Sequence, residues 1–282
     1  MHYISDSDIE RFIEEDVPYG DLTTHLLGIG PMRGKIIYRA REETTLCCTE
    51  EAARLLEKLG AITRRMLPSG TFVPAGTEFL EAEGTAEVLH AGWKAALNLL
   101  EYASGVASRT ARIVKGARAV NPHVTVLTTR KFFPGTKRIV IKAIAAGGAL
   151  PHRLGLSETI LIFRQHTAFM GGLETFLKTI PDLRARAKET KIIVEAESAA
   201  EAVQITRHGV DVVQVDKVQP NVLAALVKEV RTLNPAVKVS AAGGINETNV
   251  TDYAATGVDI IVLSSAYFGK PADIGVSMVP VI

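Results

Sequence analysis

Two cation pairs, two carboxylates and a glycine pair stand at matching places along the second half of this chain, each beside a short apolar run. VTVL at 124–127 leads into Thr128-Thr129-Arg130-Lys131. His152-Arg153 precede TILIF at 159–163, and Arg164 follows it. KIIV ends at Glu195, VDVVQV at Asp216, VKVSAA at Gly243-Gly244 and VDIIVL at Ser264-Ser265. An arginine fork grips a planar carboxylate or phosphate through two parallel hydrogen bonds, and a lysine adds a point charge. Lys137 and Arg138 add two more cations just downstream of Arg130-Lys131. Glu195 and Asp216 end consecutive runs, so as neighbouring parallel strands they would lie about 5 Å apart. There they can hold a hydrated Mg²⁺ or stabilise a cationic transition state. Glu197 competes with Glu195, because strand alternation puts both on one face; Glu195 is preferred because it directly follows the apolar run. Gly243-Gly244 before Ile245-Asn246 reads as a turn entering a helix, a suitable seat for a phosphate, with Ser264 and Ser265 supplying hydroxyls beside it.

Each of these residues has an ordinary alternative. Charge pairs are usually solvated loops, a lone histidine is usually structural, an Asp caps helices and a Gly pair makes turns. What favours chemistry is their recurrence at strand ends, the arrangement of a β/α barrel active site. Phosphates in such barrels favour the loops after the last two strands, where the Gly and Ser pairs fall.

The elements that must position these groups are read from periodicity and punctuation. Strand–helix alternation from about 123 to 268 implies parallel βαβ units. Pro220 sits where a first helical residue belongs, and Asn246-Glu247 can open a helix running to Gly257. Earlier in the chain, residues 5–15 read as a helix capped by Ser5 or Ser7, with a loop after it at Pro18-Tyr19-Gly20-Asp21. GKIIYRAR reads as a strand, and TEEAARLLEKLG as a helix between Thr49 and Gly60. Short strands are expected around Phe72, Phe79 and Val88. Residues 91–120 read as a long Ala-rich helix broken at Gly105 and Gly116. The apolar tail, 270–282, can return to the first domain.

Composition sets the outer bounds. The chain has 282 residues, 47% of them hydrophobic, enough for one large or two moderate domains with a sizeable core. A formal net charge of +1 gives no global field for nucleic acid or membrane, so neither partner is expected and any anion site is local. The acidic start, MHYISDSDIERFIEED, is unlike a signal peptide. The two cysteines, Cys47 and Cys48, are adjacent and make no disulfide framework, so a cytoplasmic setting is expected.

The same segments resemble the quinolinate phosphoribosyltransferase family along almost the whole chain. EEDVPYGDLTT is similar to that family's E-D-x-G-x-G-D-x-T entry, and ALNLLEYASGVA to its L-N-x-x-x-x-x-S-G-[IV]-A helix. TTRKFFPGTK is similar to D-T-R-K-T-x-P-G-x-R, and AGGALPHRLGLSETILI to G-G-G-x-N-H-R-x-G-L-x-D-x-x-L-I. VEAES and VQVDK match its carboxylate-bearing strand ends. The resemblance implies an α/β fold of the type II phosphoribosyltransferase kind. An N-terminal α/β sandwich, 1–105, would be joined by the tail 270–282. An incomplete α/β barrel of about six parallel strands, 106–269, would carry the active site. It implies a homodimer in which the partner's N-terminal domain completes each site. It implies transfer of phosphoribosyl from phosphoribosyl pyrophosphate to a pyridine dicarboxylate, with Mg²⁺ as cofactor. Arg130, Lys131, His152 and Arg153 would line the acid and pyrophosphate pocket. Glu195 and Asp216 would sit at ribose and metal, with Lys131 beside them as a catalytic group. Gly243, Gly244, Ser264 and Ser265 would hold the 5′-phosphate.

The departures fall on the acceptor pocket. Phe163 replaces the lysine of L-I-K-D-N-H, and Lys94 the arginine that reaches in from the partner subunit. Thr128, Pro151, Ala242 and Phe268 replace an Asp, an Asn, a Ser and a His. This pattern is similar to the ModD branch, found with molybdate-transport systems. An acidic acceptor other than quinolinate is therefore expected. The alternatives are authentic quinolinate turnover, or a non-catalytic oxyanion binder serving molybdate uptake.

Overall fold

Seven parallel strands form one sheet in the computed structural model, which describes residues 3–281. Met1, His2 and Ile282, at the outer ends of the expected domain spans, lie outside the described residues. The strand order across the sheet is Leu150–Pro151, Thr125–Thr128, Ile260–Leu263, Lys238–Ala242, Val212–Asp216, Ile192–Ala196 and Ile160–Ile162. The two outermost strands are not neighbours in this order, so the barrel is incomplete, as expected. Six strands are the apolar runs read from the sequence. The seventh, Leu150–Pro151, is two residues long and pairs with Leu127-Thr128. Central strands are buried on both faces (Val212–Asp216 is buried at four of its five positions), which is why they read as apolar runs rather than alternating ones. The helix Pro220–Leu233 starts on its proline and buries Leu223, Leu226, Val227 and Val230, one face at 3.6-residue spacing.

The chain divides into two compact units. The parallel sheet belongs to the unit formed by Arg112–Lys131 and Ala149–Ala266. The other unit holds the chain up to Ala111, Phe132–Gly148 and everything from Tyr267 onward. Its antiparallel sheet runs Ile274–Pro280, Arg33–Ala40, Glu78–Thr85, Ile62–Met66. The tail therefore supplies an edge strand, pairing Gly34 with Pro280 through Ala40 with Ile274.

Segment 132–148, which sequence order assigns to the barrel, falls in this first unit for a physical reason. Its helix Lys137–Ala146 carries Lys142, whose Nζ lies 2.8 Å from Glu50 Oε2 and 2.5 Å from Glu51 Oε2. Glu51 and Lys142 are 5% and 12% exposed, so the pair is withdrawn from water. Ser69 donates its N–H to Glu50 Oε1 at 2.8 Å and its hydroxyl to Oε2. At the end of the same helix, Gly147 lies where a Cβ would collide with the Thr110 side chain.

Several local expectations change. Ala86–Val120 is one unbroken 35-residue helix that takes in Val88. At Gly105 a Cβ would lie 2.9 Å from Ala272 N and Lys270 O, so this glycine marks a close chain approach and not a break. Leu22–Leu27 is an additional helix capped by Asp21, whose Oδ1 accepts from Thr23 N–H at 3.0 Å. Ser5 caps Asp6–Asp16 in a reciprocal box with Asp8. The helix before Gly257 is Val250–Ala255; Asn246 instead locks the preceding turn. Among the described residues, no helix is long and apolar enough to cross a membrane.

Candidate active site

Every candidate in the parallel-sheet unit stands at, or just after, the C-terminal end of a strand. Reading across the sheet, these are His152-Arg153, Arg130-Lys131, Ser264-Ser265, Gly243-Gly244, Asp216, Glu195 and Phe163. Lys94 alone belongs to the other unit, where its Nζ lies 5.4 Å from the Trp93 ring centroid. The strands of Lys131 and Glu195 are four steps apart, roughly 19 Å in a flat sheet. Yet the Lys131 charge acts on the Glu195 carboxyl. These strand ends form one rim, with Arg130, Lys131 and Arg153 toward one edge of the sheet and Asp216 and Glu195 toward the other.

Glu195 is half-buried. Gln214 Nε2 donates to its Oε2 at 2.8 Å. Burial pushes the Glu195 carboxyl above its ordinary range; the Gln214 bond and Lys131 oppose this, while Asp216 and Glu197 reinforce it. Glu197 is exposed and pairs with Arg164 at 3.1 Å, so the two glutamates that share a face differ in setting. Asp216 is half-buried as well, with Lys217 Nζ at 3.8 Å from Oδ2.

The cation side is short of counter-charge. The ion pairs around the rim engage Arg164 and Lys217; among the described residues Arg130, Lys131 and Arg153 form none. Arg153 is buried, with only a long bond to the Thr159 carbonyl at 3.4 Å. Burial and the neighbouring Arg130 charge push its guanidinium pKa down, against a pull from Glu158. Burial, then Arg153, pushes the His152 imidazole down as well, which keeps it neutral near pH 7. A buried cation beside a like charge is relieved by an anion, the natural occupant of this end of the rim.

Gly243 has φ of +87° and Gly244 of +73°. A Cβ on Gly243 would collide with Asp216 Oδ1 and lie 2.8 Å from Lys217 N, so only glycine lets this turn close over the aspartate. Lys217 itself has φ +57°, a strained setting immediately after Asp216. Asn246 and Asn249 donate their amides to the Gly244 carbonyl at 3.2 and 3.1 Å, which fixes the turn. Ser265 gives its hydroxyl proton to the Ile245 carbonyl at 2.9 Å, so Ser264 is the freer donor of the pair. Phe163 is half-buried and stacks on His166, centroids 5.8 Å apart. Its position carries no charge.

The family's sequence profiles then match in order. The one described as quinolinate phosphoribosyl transferase, N-terminal domain, covers residues 21–104, and the C-terminal domain profile covers 106–277. The chain belongs to the quinolinate phosphoribosyltransferase family. Within that family it is similar to a protein of Rhodobacter capsulatus that carries the name ModD and a provisional description as a pyrophosphorylase. The two are 45% identical over 251 residues, 88% of this chain and 95% of the relative. A like-named protein of Pasteurella multocida is 34% identical over 98% of both chains. The crystal structure of NadC from Streptococcus pyogenes shares the fold, with a TM-score of 0.88, 23% identity, and coverage of 98% of this chain and 97% of that one.

Gln214 is a site residue that the sequence reading did not single out. It lies inside an apolar run, and a polar residue there was the available signal.

Proposed function

We propose that this family member transfers a 5-phosphoribosyl group from phosphoribosyl pyrophosphate to an acidic acceptor other than quinolinate. The observation that carries the reading is the rim itself: unpaired cations at one end, two carboxylates at the other and a glycine turn between them. A pure oxyanion receptor gains nothing from Glu195 and Asp216 beside its anion. In the reaction, the bond from ribose C1 to the pyrophosphate oxygen breaks and its electron pair leaves with pyrophosphate. The acceptor's nucleophilic atom then bonds to C1. Arg130, Lys131 and Arg153 offset the charge on the leaving group, and neutral His152 offers a ring N–H. Glu195 and Asp216 offset the positive charge that develops on the ribose ring. Gly243, Gly244 and Ser264 seat the 5′-phosphate.

Glu195 and Asp216 are hard oxygen donors and fit a hydrated Mg²⁺, which takes its remaining ligands from water and substrate phosphate. Among the described residues no three His, Cys, Asp or Glu side chains gather to hold an ion by themselves, so substrate oxygens are needed to complete that shell. The bound ion would supply charge neutralisation on the pyrophosphate. A homodimer completed by the partner's N-terminal domain, with Lys94 as the contributed cation, belongs to the same proposal, as does a connection to molybdenum transport through the ModD-named relatives.

Phosphoribosyl pyrophosphate with Mg²⁺ is expected to raise the melting temperature, because a ligand that binds only the native state stabilises it. Quinolinate and molybdate, tested separately, are expected to raise it less. Quinolinate is also expected to be a poor acceptor. Phe163 removes one cation, and Lys94 gives up a bidentate grip. Each lost charge-assisted contact costs about 1.5–3 kcal/mol, roughly ten- to a hundredfold in binding. Chromatographic assay for nicotinate mononucleotide tests this, and rapid formation at micromolar quinolinate would restore quinolinate as the substrate.

A further inference from the structure

Gln214 lies mid-strand, in register with Glu195 on one neighbouring strand and Ser240 on the other. Residues in register on parallel strands share a face, so these three form one row across the sheet, two residues before Asp216 on the central strand. Gln214 is 4% exposed and Ser240 1%. The amide of Gln214 is the hydrogen-bond partner of Glu195 among the described residues, Nε2 to Oε2 at 2.8 Å. Its other end is stranded: among the described residues, Gln214 Oε1 and Ser240 Oγ have no partner. A carboxylate accepts only from the NH₂ end of an amide, so the orientation that serves Glu195 is the one that strands Oε1. An unpaired buried acceptor destabilises a fold, and an apolar side chain of similar volume would carry no such penalty. The rest of this strand is valine up to Asp216. An amide that weakens the core and gives its one bond to a rim carboxylate is placed for the site.

We infer that Gln214 is a positioning residue that pins one oxygen of Glu195 and so fixes where its free oxygen points across the rim. A glutamate has three side-chain torsions, and half-burial alone leaves several rotamers open. The donor bond removes them. Asp216, Glu197 and Lys131, the charged groups acting on Glu195, set its field but make no hydrogen bond to it. The pin itself does not depend on the reaction; its consequence for rate rests on the phosphoribosyl-transfer reading.

The test compares wild type, Gln214→Met, Glu195→Gln and the double variant. The assay is Mg²⁺-dependent pyrophosphate release from phosphoribosyl pyrophosphate, with water as acceptor, yielding ribose 5-phosphate. Gln214→Met is expected to lower kcat about tenfold or more, the usual weight of a residue that orients a reacting group. KM is expected to stay within about threefold, since ground-state donor contacts are untouched. In the Glu195→Gln background the same change is expected to cost nothing further, because Gln214 acts through that carboxylate. The melting temperature of Gln214→Met is expected to equal or exceed that of wild type. An unchanged kcat, a loss that adds to that of Glu195→Gln, or a loss that tracks a lowered melting temperature overturns the inference. If wild type neither binds the donor nor releases pyrophosphate, the transfer reading fails by itself. The melts then decide: a Gln214→Met protein less stable than wild type makes Gln214 a structural strut, and one equally or more stable keeps it as the pin.

Discussion

Glu195→Gln and Asp216→Asn are expected to remove most turnover while leaving folded protein that still binds the donor. Both carboxylates stand on the rim, and among the described residues neither has a cation within strong pairing distance; Lys217 is 3.8 Å from Asp216 and exposed. In the proposed transfer, their charge is available to a ribose ring that becomes positive as pyrophosphate departs. An interaction made mainly in the transition state lowers kcat when removed and changes donor affinity less. Losing one such electrostatic contact costs about 10²–10³-fold in rate. Steady-state pyrophosphate release, with a donor titration beside it, separates the two effects. An oxyanion receptor behaves oppositely: neutralising either carboxylate relieves repulsion, and both variants bind molybdate more tightly than wild type.

The largest stability effect is expected at Lys142. It joins Glu50 and Glu51 at 2.8 and 2.5 Å, and Glu51 is almost wholly enclosed. Lys142→Met keeps the volume of the stem but leaves the buried Glu51 and the half-buried Glu50 without their cation. Breaking a buried ion group in this way costs about 3–5 kcal/mol. For a chain of this size that is a fall on the order of 10 °C in melting temperature. The penalty depends on pH with a definite sign. Burial acts to raise the Glu50 carboxyl, but Lys142 and Ser69 overcome it and hold it down at about 2. A depressed carboxyl contributes stability above its ordinary value and loses it as pH falls through the folded one. Lys142 is shifted upward despite its burial, because Glu50 and Glu51 hold its proton, so its share is complete at neutral pH and is lost only at strongly alkaline pH. The gap between wild type and Lys142→Met is therefore expected to narrow as pH is lowered from 5 toward 2. Urea unfolding at pH 7 and pH 3 measures it; an equal gap at both would mean that the cation does not hold Glu50.

How far these groups were legible in the sequence depended on the range of the interactions that place them. The rim was legible because a parallel strand buried on both faces is a continuous apolar run, and the close of the run marks its C-terminal end; Glu195, Asp216 and Gly243 all emerge this way. Leu150–Pro151 was not, since two residues carry no period and the strand exists only by pairing with Leu127-Thr128. Gly105 and Gly116 suggested helix breaks, yet the helix runs through both; at Gly105 the reason lies elsewhere in the chain, where the backbone of Lys270–Ala272 passes too close for a Cβ, while at Gly116 a Cβ would meet Val250 only at ordinary contact. The place of Lys142 was likewise hidden, because its partners Glu50 and Glu51 lie more than ninety positions earlier. Gln214 escaped because its meaning is a pairing across strands. The stacking of Phe163 on His166 is three residues local, but the sequence offered it only as a missing cation.

On the reading proposed above, the rim binds phosphoribosyl pyrophosphate with a divalent ion. Isothermal titration of the wild-type protein with this donor, with and without Mg²⁺, tests it most directly. The expected result is saturable binding that is markedly tighter with Mg²⁺ and competed by pyrophosphate. Heat from molybdate, with none from phosphoribosyl pyrophosphate under either condition, would contradict the account and leave the rim as an oxyanion receptor.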